Sequence, residues 1–177
     1  IVWMAEFQDT EKVILITKSL ANFFRISLSE GREMITLKEE IDHIKEYLYI
    51  QKQRYEDKLE YSFDIDFELE RLEVPKIILQ PLVENAIYHG IRNIQRRGKV
   101  FIYTRILERY IEIVVEDNGI GFRNKDVKKN MRVGGIGIKN INKRVQFYYG
   151  EEYGVRFDKS VEVGAKVIIT LPNTLKY

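Results

Sequence analysis

Cysteine is absent from the 177 residues, and histidine occurs twice. Disulfides and thiolate-held metals are thereby excluded, and a histidine-built metal centre lacks ligands. A reducing compartment suits such a composition. Long apolar runs are also missing. None approaches the roughly 20 residues that span a bilayer, so no direct membrane contact by this stretch is expected. No secretory leader is visible. Charge of one sign is scarce as well, since 29 Lys and Arg oppose 27 Asp and Glu for a net charge of +2. Overall electrostatics therefore give a nucleic-acid partner no support, and the basic group Arg92, Arg96, Arg97 and Lys99 reads equally well as a solvated loop. Neither an internal repeat nor a low-complexity segment is present.

What is there is apolar material, 45% of the residues, enough for one domain or a domain with a helical appendage. Ile1 opens a segment that already reads as helical, so we take the chain to be a piece of a longer protein. From about Thr10 to Leu28, Val13, Leu15, Ile16, Leu20, Phe23, Phe24 and Leu28 form a stripe at helical spacing. Gly31 interrupts it. Thr36, with Glu39 three residues on, is a capping-box start for a second helix. The seam of that helix (Leu37, Ile41, Ile44, Leu48, Tyr55) suits packing against another helix. His43 lies beside the seam and is expected to be a partly exposed structural residue.

The period then changes. "KLEYSFDIDFEL" alternates as a half-buried strand. Val74-Pro75 is expected to open a third helix running to about His89, because proline is tolerated in a first turn. "KVFIYTRI" and "YIEIVVED" read as strands joined by "LERY". "GIGIKNINKRVQFYYG" is a fourth helix ending at Gly150, and "YGVRFDKS" with "AKVIITLP" a final hairpin. Successive strands imply antiparallel pairs. With helices on one face, the fold class is α/β (α+β), a two-layer sandwich with a mixed, mainly antiparallel sheet behind two N-terminal helices.

Three short motifs carry chemistry. On the third helix Leu79, Leu82, Val83, Ala86 and Ile87 share one side, while Pro81, Glu84, Asn85, Tyr88, His89 and Arg92 share the other. Asn85 is a poor mid-helix residue, so that face is either an ordinary solvated one or a functional stripe. In "VVEDNGIGF", Asn-Gly is a hairpin signal, yet the charged segment after it has no strand period. A strand-end carboxylate, Asp117, held in a glycine turn suits a ligand donor. In "GGIGIKNINKRV", glycines precede a helix, an arrangement that admits an anion to backbone N–H groups. The loop before it carries Arg123, Lys125, Lys128, Lys129 and Arg132 against Asp126. It suits a polyphosphate or, equally, a mobile surface loop. Neither a Rossmann fingerprint, a P-loop nor the eukaryotic protein-kinase signatures are present.

In this order, "ENAIYHG", "EDNGIGF" and "GGIGIKN" resemble the N, G1 and G2 boxes of the GHKL (Bergerat-fold) ATPases, the group of histidine kinases, gyrase B, Hsp90 and MutL. "WMAEFQD", "LKEEIDHIKEYLYIQKQRY" and "PKIILQPLVENA" look like bacterial two-component sensor histidine kinases of the LytS/YesM-like group. The resemblance implies a division into residues 1–56, a remnant of the dimerisation and phosphotransfer helices, and 57–177, an ATP-binding catalytic domain. It implies ATP and Mg²⁺ as ligands, with Asn85 holding the metal through its side-chain oxygen. Asp117 would accept from the adenine amino group, and Gly119 and Gly121 would let the turn approach the base. Phe122 to Val133 would be the ATP lid, with Gly135, Gly137, Lys139 and the helix start near the phosphates.

Other positions depart from the pattern. Pro81 stands where ATPases of the superfamily carry a water-activating Glu, so hydrolysis should be poor. Glu84 is the nearest carboxylate that could orient or deprotonate an acceptor histidine. Tyr88 occupies a position often held by a phosphate-binding Lys, a job left to His89 or Arg92, and Ala165 follows Gly164 where a Thr often helps hold adenine. The phosphoacceptor histidine of this group lies upstream of Ile1, so none is expected in this chain. The implied function is the cytoplasmic kinase portion of a membrane-anchored bacterial sensor. It would act as a homodimer and serve a response regulator. A catalytically degenerate signalling module and a GHKL ATPase are the alternatives.

Overall fold

The computed structural model describes residues 9–28, 31–92, 94–121, 127–158 and 160–175. Helix α1 spans Thr10–Leu28, as its stripe predicts. Asp9 caps it through the Lys12 N–H at 3.3 Å. Strand β1 (Met34–Thr36) leads into α2 (Leu37–Tyr55). The capping box there is reciprocal: the Glu39 N–H donates to Thr36 Oγ1 at 3.2 Å, and the Thr36 N–H donates to Glu39 Oε2 at 2.8 Å. The α2 seam is buried at Leu37, Ile41, Ile44 and Leu48, and α2 packs against α1 within the same chain.

Strand β2 (Leu59–Asp64) is shorter than its alternation suggests, because Asp66 caps a single 3-10 turn at Phe67–Leu69. The third helix also differs from expectation. Glu73–Pro75 is strand β3, paired antiparallel with β1 in a two-stranded sheet, and helix α3 begins only at Gln80. Proline serves an edge strand as readily as a first helical turn, and here the pairing with β1 decides. Helix α3 (Gln80–Asn85) continues into a π-helical turn at Ala86–Ile91.

Strands β4 (Gly98–Ile106) and β5 (Tyr110–Asp117) follow, then α4 (Val127–Tyr149), β6 (Gly154–Phe157) and β7 (Ala165–Pro172). The main sheet has the order β2-β4-β5-β7-β6. Strand β2 lies parallel to β4, and the other pairs are antiparallel. One face of the sheet presents Val100, Ile102, Ile111, Ile113, Val115, Val167 and Ile169 to the helices. The other face holds the small cluster Tyr103, Val114 and Ile168, with buried Glu112 paired to Arg156 at 2.5 Å. The two-layer sandwich with a mixed, mainly antiparallel sheet is therefore the observed architecture.

Helix α4 corrects a second expectation. It starts at Val127, so Gly134, Gly135 and Gly137 lie inside the helix rather than ahead of it. No helix N-terminus sits at the second glycine motif, so the helix start read there is corrected. Val127 to Val133 contains no helix breaker, and an interior glycine costs only about 1 kcal/mol. The C-terminal half is anchored by buried Ile141 and Val145. Of the expected lid, residues 122–126 lie outside the described residues and 127–133 are helical. The helix ends as expected, at Gly150 with φ +107, whose N–H reaches Gln146 O at 2.9 Å.

Candidate nucleotide site

Pleat parity aims Asp117. On β5, Ile111, Ile113 and Val115 face the helices, and Asp117 continues that alternation at the strand end. Its carboxylate is buried, with 6% of the residue exposed, beneath the end of the π-helical turn. The Gly119 N–H donates to Asp117 Oδ1 at 2.7 Å. Burial raises its pKa from the ordinary 3.8 to about 6, against the opposing pull of the Gly119 and Ala165 N–H groups.

Glycine is required around this carboxylate by close approach. A Cβ on Gly119 would lie 2.2 Å from the Gly90 carbonyl carbon, and one on Gly90 would lie 2.6 Å from Asp117 Oδ1. Ile120 N–H donates to Gly90 O at 3.1 Å, so the turn after β5 is stitched to the end of the π-helical turn. Gly121 (φ +71) and Gly164 (φ +81) complete the packing, since a Cβ on Gly121 would meet Gly164 O at 2.6 Å. Gly90 and Gly164 were not singled out from the sequence. The signal for Gly90 was its place directly after His89, on the apolar side of the helix.

Asn118 has a different job from its neighbour. Its Oδ1 accepts the Lys99 N–H at 2.7 Å and its Nδ2 donates to Arg97 O at 3.1 Å, tying the turn to the start of β4. The basic group is similarly engaged: Arg97 and Lys99 pair with Glu60 at 2.7 and 3.1 Å, and Arg96 donates to Asn118 O.

The stripe on α3 keeps the predicted division. Leu82, Val83, Ala86 and Ile87 are buried, Glu84, Asn85 and Tyr88 are partly exposed, and His89 and Arg92 are exposed. Asn85 is the last residue of α3, at the switch to π-helical bonding, a feature frequent at functional sites. Among the described residues its side chain has no hydrogen-bond partner. Glu84 accepts from Gln80 Nε2 at 2.8 Å. The far end of α3 meets α4, where Gly137 lies against Pro81 with an added Cβ 3.6 Å from Pro81 Cβ. The structure thus brings Asp117, Gly119 and Gly121 against one end of the α3 segment and Gly137 against the other. Lys139 is exposed on α4, and Gly135 lies within that helix.

Glu40, which sequence reasoning passed over, holds the entry to α3. It is fully buried, and its two oxygens accept the Ile77 and Leu79 N–H groups, each at 2.8 Å. Burial raises its pKa, opposed chiefly by those backbone bonds. Ile77 has φ +58, a rare conformation for a β-branched residue. His43 departs most from expectation. It is fully buried, stacked on Phe23 with ring centroids 4.4 Å apart, and its Nε2 lies 2.8 Å from Gln80 Oε1.

A helix-backed mixed sheet with a buried strand-end aspartate in a glycine turn is the arrangement expected of a GHKL-type domain. Residues 73–175 match the profile of the histidine kinase-, DNA gyrase B- and HSP90-like ATPases, and residues 1–59 match a histidine kinase profile. The chain belongs to that ATPase family, on its sensor histidine kinase branch. It is 33% identical over 170 residues to sensor histidine kinase YesM of Bacillus subtilis strain 168, covering 96% of this chain and 29% of that protein. Sensor histidine kinase BtsS of Escherichia coli K12 is 30% identical over 165 residues, covering 93% and 28%. The chain therefore spans less than a third of these curated relatives. The catalytic domain of histidine kinase ThkA shares the fold, with a TM-score of 0.56 at 19% identity over 78% of this chain and 93% of that one.

Proposed function

We propose that this chain binds Mg-ATP and passes the γ-phosphate to a histidine outside the 177 residues, for relay to an aspartate of a response regulator. The observation that carries the reading is the Asp117 carboxylate, buried and yet left with acceptor capacity inside a glycine turn that admits close approach. In this reading Asp117 accepts from the adenine amino group. Gly119 and Gly121 keep the turn slim against the base.

Asn85 would hold Mg²⁺ through its side-chain oxygen. Among the described residues no cluster of three or more acidic or histidine ligands could hold a metal. That agrees with a hard cation that takes one amide oxygen, substrate phosphates and water. The metal would neutralise charge on the transferring phosphoryl group. His89, exposed beyond Asn85, and Lys139, exposed on α4, would contact the phosphates. Gly135 and Gly137 lie inside α4, and Gly137, beside Pro81, would be the nearer of the two to the phosphates. Glu84 would orient or deprotonate the acceptor imidazole, and Pro81 supplies no base for water, which favours transfer over hydrolysis.

The division at residues 56 and 57 is proposed for function rather than packing, since Leu37, Ile41, Ile44 and Leu48 of α2 share the core of the catalytic domain. Exposed Ile14, Leu15, Phe24 and Leu28 on α1 support a homodimer of the longer protein. Histidine kinase ThkA has been solved in complex with response regulator protein TrrA, which supports a partner of that class here. No described helix is long and apolar enough to cross a membrane. In this reading the domain works in the cytoplasm, where ATP is available, with any anchor elsewhere in the longer protein.

The test is phosphotransfer by a form extended upstream to include the acceptor histidine. Labelled ATP should give acid-labile, base-stable protein phosphate, and Asn85→Ala should lower it at least about 100-fold, the scale expected when charge stabilisation of the transferring group is lost. An extended protein that binds ATP and never labels itself would support a degenerate signalling module. Steady phosphate release without labelling would indicate an ATPase.

A further inference from the structure

Two polar stripes face each other across the α2–α3 contact. On α2, His43, Tyr47 and Gln51 recur at steps of four; on α3 and its π-helical turn, so do Gln80, Glu84 and Tyr88. Residues four apart share a helix face. A helix contact beside a core would ordinarily be apolar, and this one is not. Among the described residues, His43 Nδ1, Tyr47 Oη and Gln51 Oε1 are buried without a hydrogen-bond partner. Burial, with Glu84 and Tyr88 next in weight, raises the pKa of Tyr47.

Within the stripes one chain of bonds is complete. Glu84, as a carboxylate, only accepts, so the Gln80 NH₂ faces it, at 2.8 Å. Gln80 Oε1 is then the end that faces His43, and the 2.8 Å contact requires His43 to carry its proton on Nε2. Nδ1 is left bare, with the Phe23 carbonyl near it but outside hydrogen-bond geometry. Burial lowers the pKa of His43, in keeping with a neutral ring. The Phe23 ring, 4.4 Å away at 16°, fixes the plane of the imidazole. The direction of every bond follows from the acceptor-only character of Glu84.

We propose that His43 and Gln80 are positioning residues for Glu84, a hydrogen-bonded line from α2 to α3 that holds this carboxylate for its part in phosphotransfer. The inference rests on the proposed kinase reading, which by itself leaves Glu84 unsupported and assigns nothing to the buried histidine. A Glu84 side chain free to rotate on a half-exposed helix face would spend much of its time away from an incoming imidazole. Gln80 removes that freedom, and His43 prevents the Gln80 amide from turning over.

The experiment measures phosphotransfer at saturating ATP, alongside affinity for a non-hydrolysable ATP analogue, in the extended protein. Gln80→Met keeps the side-chain shape and loses both bonds. His43→Phe keeps the stack on Phe23 and loses the donor. Each should slow transfer about tenfold, the weight of one charge-assisted hydrogen bond, with analogue affinity changed less than about twofold. His43→Gln, which restores an N–H donor, should recover most of the rate. In a Glu84→Gln background Gln80→Met should add nothing, because a residue that acts through another is not additive with it.

Unchanged transfer in both single variants would overturn the proposal, as would a Gln80→Met effect that multiplies fully with Glu84→Gln. If the unsubstituted protein binds no analogue, the kinase reading itself fails, a result distinct from intact binding with unaltered rates.

Discussion

Replacing Asp117 with asparagine is expected to stabilise the fold at neutral pH and to cost about 100-fold in affinity for an adenine nucleotide. The stabilisation follows from the raised pKa. The native carboxyl titrates at about 6 rather than 3.8, so between those values the folded protein binds a proton that the unfolded chain does not. Stability therefore falls as pH rises from about 4 to about 6, and the full penalty is present above that range. At roughly 1.4 kcal/mol per tenfold, that penalty is about 3 kcal/mol at pH 7. Asparagine keeps an acceptor for the Gly119 N–H and carries no charge to desolvate.

Part of the gain is returned through the amide NH₂, which lacks a matched acceptor there. A rise of several degrees in the thermal midpoint at pH 7 should shrink to nothing by about pH 4. Because Glu40 is also raised by burial, the quantity to plot is the difference between variant and unsubstituted protein. Binding runs the other way. The same NH₂ opposes the adenine amino donor, and one mismatched charged hydrogen bond of about 1.5–3 kcal/mol gives the loss stated. A variant that gains stability and keeps its nucleotide would remove Asp117 from the site.

Glu40→Ala should lower stability by about 3 kcal/mol. The change strands the buried N–H groups of Ile77 and Leu79, at about 1–3 kcal/mol each, and relief of the buried charge offsets part of that cost. For a domain of this length the thermal midpoint should drop by about 6–12 °C. Alanine also releases the positive-φ turn at Ile77, so α3 should start less sharply and nucleotide affinity should fall with stability. Glu40→Gln should be intermediate, since one amide end accepts and the other confronts an N–H. A midpoint within a degree of the parent would show that the turn holds itself.

The strongest elements were legible because their signals are local. Thr36 and Glu39 give their capping box without reference to anything else. The alternation of β5 places Asp117 on the helix side, and the charged stretch after Gly121 spoke against a simple hairpin. What was missed depends on distant partners. Pro75 enters a strand because Met34 pairs with it, and α3 waits until Gln80 because Glu40, on another helix, ties up the turn before it. His43 is buried by Phe23 on one side and Gln80 on the other, and no feature of "EEIDHIKE" announces either. The early start of α4 had no local breaker to forbid it, although its glycines argued for a boundary. Neither the parallel placement of β2 beside β4 nor the π-helical turn has a short-range code.

The central claim is a Mg-ATP site between α3 and the Asp117 turn, and isothermal titration with a non-hydrolysable ATP analogue tests it most directly. Titrations with and without Mg²⁺, on the unsubstituted chain and on Asn85→Ala, should give Mg²⁺-strengthened binding in the first. The variant should bind weakly and indifferently to the metal. No heat at millimolar nucleotide from the unsubstituted chain would contradict the account, and so would an Asn85→Ala chain that still binds more tightly when Mg²⁺ is present.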